Sequence, residues 1–113
     1  MKKLTWLADS RSIVKSFPSV VRDRIGYSLY VAQSGETSTN AKPIHGLGSG
    51  VIEISANDAS GTYRTVYTVS IGDSIYVIHA FQKKSKAGIA TPKTEIEVVR
   101  QRLKKLREEV KDA

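Results

Sequence analysis

The residue types that can bind phosphate or move protons cluster in the second half of this 113-residue chain. Arg64 falls in a run, Tyr63 to Ile71, rich in β-branched and aromatic residues, the composition a strand prefers. Its planar, permanently charged fork suits a phosphate; a salt bridge to Glu53 across the sheet is the plainer alternative. Lys83, Lys84 and Lys86 follow an apolar run, Ile75 to Phe81. Consecutive lysines pack no core, and strand alternation sends neighbours to opposite faces. A desolvated lysine among other cations can lose its proton near neutral pH and act as a base, whereas most such runs are solvated loops. His79 alternates with Val77 and Phe81, a spacing that turns it toward a core. Imidazole suits proton transfer, but a packed, hydrogen-bonded histidine is the commoner case on an apolar strand. Tyr67 shares a strand face with Tyr63, where the rings either meet a base or pack the sheet. His45 lies in a glycine-rich loop, as a mobile contact or an ordinary surface residue.

Charge and composition narrow the chemistry. The net charge is +7, and it is uneven: eight Lys/Arg against six Asp/Glu up to Phe81, then ten against five from Gln82 onward. A basic end of this kind suits a polyanion, or an acidic protein partner. There is no cysteine and there are two histidines, so thiol chemistry is excluded and a zinc-ligand set is not expected. No carboxylate cluster suggests magnesium, and no cofactor is expected. Gly46, Gly48 and Gly50 neither follow a strand nor open a helix, so they do not form a dinucleotide-binding turn. The longest apolar run is too short to span a membrane and no signal peptide is visible; a cytoplasmic protein is expected.

The elements that must position these residues follow from periodicity. Leu4 to Leu7 reads as a first strand. Ser10 can cap a helix carrying Ile13, Val14 and Phe17, Pro18 breaks it, and Ser19 can cap a longer helix to about Gln33. Val21, Ile25, Leu29 and Ala32 form that helix's buried stripe, with Ser28 off it. Ser34 to Gly50 reads as loop. Three strand-like runs follow, Val51 to Ala56, Tyr63 to Ile71 and Ile75 to Phe81, joined by short turns that imply an antiparallel meander. The last run is apolar on both faces and belongs at the centre of the sheet or under helices. Gln82 to Lys93 reads as a basic loop. A final helix carries the seam Ile96, Val99, Leu103, Leu106 and Val110. Its start fits Thr94 with Glu97, or Thr91 with Pro92. One α+β domain over residues 1–113 is expected.

The order of strand, helical hairpin, glycine-rich loop, three strands, basic loop and helix resembles the RelE/ParE toxin superfamily. Lys42-Pro43 through Leu47-Gly48, then Gly50-Val51-Ile52-Glu53-Ile54, resembles the HigB-like, phage-derived branch of type II toxin–antitoxin systems. Tyr63-Arg64-Thr65-Val66-Tyr67 resembles its central strand. Ile78-His79-Ala80-Phe81-Gln82-Lys83-Lys84-Ser85-Lys86 with Thr91-Pro92 resembles its paired-lysine passage, here lengthened by Ala87-Gly88-Ile89-Ala90. The resemblance implies a RelE-like fold: an N-terminal strand and helical hairpin packed on a small antiparallel sheet, with a C-terminal helix. It implies a metal-independent mRNA endoribonuclease, cleaving on or off the ribosome, with a cognate antitoxin of helix-turn-helix type. Arg64, Lys83, Lys84 and His79 are then the catalytic candidates, and Lys86, Tyr67 and His45 the RNA-binding ones. The competing implications are a non-catalytic member that docks a protein target such as gyrase, or an inactive phage remnant.

Overall fold

A computed structural model describes residues 1–83 and 90–111. The elements run β1 (Lys3–Trp6), α1 (Ser10–Ser16), α2 (Ser19–Gln33), β2 (Ala41–Pro43), β3 (Val51–Asp58), β4 (Gly61–Thr68), β5 (Ser74–Lys83) and α3 (Lys93–Lys111). They build a five-stranded sheet in the order β1-β5-β4-β3-β2. The expected meander is present: β3 pairs antiparallel with β4, and β4 with β5. β1 differs, since it adds to β5 in parallel, Leu4 beside Ile75 and Trp6 beside Val77. β5 is therefore internal, as its two apolar faces require.

Each face of the sheet has its own core. The α1–α2 hairpin packs Val14, Phe17, Val21, Ile25 and Leu29 against Ile52, Ile54, Tyr63, Tyr67, Ile75 and Val77. On the opposite face Val99, Leu103 and Leu106 of α3 pack against Val51, Val66 and Ile78. The heptad-like seam of α3 thus meets the sheet, with Ile96 and Val110 at its half-buried ends.

The loop read between Ser34 and Gly50 contains β2, which pairs Ala41 with Ile54 and Pro43 with Ile52. Ser28, expected off the buried stripe, is buried because its hydroxyl donates to Asn40 Oδ1 at 2.8 Å, tying α2 to the approach to β2. Neither Ser10 nor Ser19 caps its helix. Asp9 and Pro18 hold those positions without side-chain capping bonds, and Ser10 instead donates to the Val77 carbonyl at 3.3 Å. β5 also runs further than its apolar stretch, taking in Gln82 and Lys83, which were expected in a loop.

One irregularity decides what β5 presents. His79 lies opposite Val66 while Val77 lies opposite Tyr67, so Ile78 is an extra, bulged residue. A bulge places two residues against one and reverses the alternation beyond it. Val77 accordingly packs toward the hairpin while His79 meets α3.

Candidate active site

β4 and β5 carry the expected residues to the α3 side of the sheet. Arg64 lies opposite Phe81, and His79 and Lys83 flank Phe81 along β5. The face they share is bounded by Glu53 on β3, Thr91, and Glu95 and Arg102 on α3. Arg64 forms an ion pair with Glu53 through Nη1 and Oε1, with both side chains 11% exposed. The other oxygen of Glu53 accepts from Thr91 Oγ1 at 2.7 Å. The salt bridge considered for Arg64 therefore exists, and it lies within the candidate surface.

His79 is held from several sides. Its Nδ1 lies 3.2 Å from Arg102 Nη1, and its Nε2 lies 3.4 Å from each oxygen of Glu95. Its ring stacks on Phe81 with centroids 5.5 Å apart. The same Arg102 nitrogen donates to the carbonyl of the bulged Ile78 at 2.9 Å, and Nη2 donates to Asp9 Oδ1 at 3.0 Å. His79 is buried and hydrogen-bonded as expected, and it keeps Phe81 on its face; what is corrected is its alignment with Val77, because the bulge turns it to the α3 side.

Lys83 ends β5 and is 8% exposed, which corrects its expected place in the basic loop and rules out the plain solvated alternative for this residue. Lys84 and Lys86 lie outside the described residues. Tyr67 is fully buried in the hairpin core, so the structure offers its ring no surface on which a base could stack. Burial also pushes its phenol above the ordinary value of 10.0. His45 is exposed between β2 and β3. It lies toward the sheet end where Val51 faces Thr68, whereas Lys83 faces Thr62 at the other end. The site thus gathers Arg64, His79 and Lys83, and excludes Tyr67 and His45.

Sequence reasoning passed over Glu95 and Arg102. They stand seven residues apart and so share one side of α3 with Val99, beside the apolar seam. That spacing was the available signal. The face can stabilise negative charge through its guanidiniums and its lysine, its two carboxylates can exchange protons, and its imidazole can form a hydrogen bond to substrate. Among the described residues no group of three or more His, Cys, Asp or Glu side chains is placed to hold a metal ion. None of the described helices is long and apolar enough to cross a membrane.

No curated protein matches the sequence. In fold the chain is similar to the free state of an arginine double mutant of E. coli toxin RelE, with a TM-score of 0.60 and 18% identity over 92% of this chain and 96% of that one. It is also similar to the isolated E. coli RelE toxin, with a TM-score of 0.55 and 17% identity over 89% of this chain and 98% of that one. The family model described as Phage derived protein Gp49-like (DUF891) matches residues 12–104. The chain therefore belongs to the Gp49-like family of phage-derived proteins and is built on the RelE-like α+β fold.

Proposed function

We propose that this protein is the toxin of a type II toxin–antitoxin system, of the HigB-like branch, and that it cleaves mRNA without a metal ion. The observation that carries the reading is the convergence of Arg64, His79 and Lys83 with Glu53 and Glu95 on one face of the sheet. Cleavage by the 2′-hydroxyl needs a proton acceptor, cations around the pentavalent phosphorus and a proton for the departing 5′-oxygen. Arg64 and Lys83 supply the charge, and Lys84 and Lys86, next in the sequence but outside the described residues, are further candidates. A phosphate competes with Glu53 for the Arg64 fork; when it wins, it releases a carboxylate beside the reacting group. An antitoxin of helix-turn-helix type, mRNA, the ribosome and a cytoplasmic setting complete the proposal.

A second reading has its own support. Arg64 is already neutralised by Glu53, and Lys83 is largely buried, as in a face that serves architecture while the protein docks a target such as gyrase. Induced expression in bacteria separates the two. The nuclease reading predicts growth arrest with new mRNA ends, both lost in Arg64→Gln. Arrest with intact mRNA supports docking, and normal growth with folded protein accumulating contradicts both.

A further inference from the structure

We propose that Arg102 is a positioning residue which locks His79 in the neutral Nε2–H tautomer, so that the imidazole meets the phosphate as a hydrogen-bond donor and cannot serve as the base. This rests on the nuclease reading for its consequence, but on geometry alone for the tautomer.

Ile78 has no partner residue on β4, and a bulged residue is left out of the regular ladder. Its carbonyl is taken by Arg102 Nη1 at 2.9 Å, and the same nitrogen lies 3.2 Å from His79 Nδ1. A guanidinium has donors only and stays protonated in proteins. Nδ1 must therefore present its lone pair, and the neutral ring carries its hydrogen on Nε2. The opposite side of the ring agrees: Nε2 faces both oxygens of Glu95 at 3.4 Å, and a carboxylate is an acceptor. Asp9 fixes the other arm of the fork at 3.0 Å, fastening Arg102 to the turn before α1. Phe81 stacks on the ring at 5.5 Å. Among the described residues, the charged groups in contact with His79 are thus Glu95 and Arg102, with Asp9 acting through Arg102.

The lone pair that a general base would use is occupied by a cation that cannot accept a proton in exchange. The nitrogen directed toward Glu95 carries a hydrogen. A phosphate oxygen that competes with Glu95 at Nε2 receives a hydrogen bond whose donor is already oriented, and donors aimed in advance at developing charge are effective stabilisers. His79 then donates and transfers no proton, so removal of the 2′-hydroxyl proton falls to another group.

Nitrogen-15 NMR of the imidazoles in the intact protein, at a pH where they are neutral, reads the tautomer directly. His79 is assigned by its loss in His79→Gln. Wild type should show protonated Nε2 and bare Nδ1. Arg102→Met keeps an apolar stem but no donor, and should shift His79 to a mixture of tautomers. It should also lower kcat about ten-fold or more with KM changed far less, because a mis-set tautomer harms the chemical step. Arg102→Lys retains a charged donor and should restore the Nε2–H form. A wild-type Nδ1–H signal, or an unchanged tautomer in Arg102→Met, overturns the proposal. If Arg102→Met does not fold, the wild-type spectrum and Asp9→Asn decide: Asp9→Asn must keep the fold and loosen the tautomer preference. Absence of RNA cleavage by wild type overturns the nuclease reading while leaving the tautomer assignment to stand or fall on its own spectrum.

Discussion

At the residue scale the site holds guanidiniums that already have carboxylate partners, Arg64 with Glu53 and Arg102 with Asp9. Arg64 and Glu53 are each 11% exposed, so removing one partner leaves a poorly hydrated charge. Arg64→Gln and Glu53→Gln should each lower stability by about 1–3 kcal/mol in urea denaturation. The double variant should lose less than the sum, because the two groups are coupled; strict additivity would mean that the pair does not act as a unit. Tyr67 tests the opposite case. Its hydroxyl is buried without a hydrogen-bond partner among the described residues, so Tyr67→Phe should stabilise the protein by about 1 kcal/mol. Its phenol ionises above 10.0 when folded. Its contribution is therefore intact below the unfolded value and is lost as pH rises from there through the folded one. Melting temperatures across that alkaline range should fall less in Tyr67→Phe than in wild type. Arg64 and His79 stood out in the sequence by residue type. Glu95 and Arg102 did not, because charged residues flanking an apolar seam look alike until packing shows which flank meets the sheet.

At the element scale the β5 bulge does what no residue type announces. Period-two alternation placed His79 beside Val77; the extra residue at Ile78 moves His79 to the α3 face. Ile78 is neither glycine nor proline, so nothing local marks it. β2 was hidden for a similar reason: three residues carry no periodicity, and pairing with Ile54 and Ile52 defines the strand. The helices were legible because their stripes are long. Their caps were not, because Ser10 has a better use at the Val77 carbonyl. The turn before β3 gives a prediction at this scale. Gly50 has φ 74°, and a Cβ there would meet Ser70 Cβ at 2.8 Å. Gly50→Ala should cost more than about 1 kcal/mol, since strain and close contact both oppose it. An unchanged denaturation midpoint would show that the turn relaxes freely.

At the scale of the whole molecule, one sheet serves two purposes. The hairpin side supplies the larger core, while the α3 side combines a core with the charged face. That division was legible in outline, from the three-strand meander, the two-sided apolar β5 and the seam of α3. The parallel addition of β1 was not, because a four-residue strand does not encode its partner. α3 joins the two purposes: Val99, Leu103 and Leu106 anchor it, and Glu95 and Arg102 project from the same helix. Leu103→Ala should therefore cost about 2–5 kcal/mol and reduce cleavage as well, an effect that urea melts and activity assays read together. On the nuclease reading, this face cleaves RNA without a metal ion. The direct measurement is incubation of purified protein with ribosome-bound and free mRNA in EDTA, with the chemistry of the new ends determined. Wild type should yield 2′,3′-cyclic phosphate ends in EDTA, and Arg64→Gln, folded by circular dichroism, should be slower by about 100-fold. Intact RNA in both forms of substrate, cleavage abolished by the chelator, or fragments bearing 5′-phosphates would contradict it.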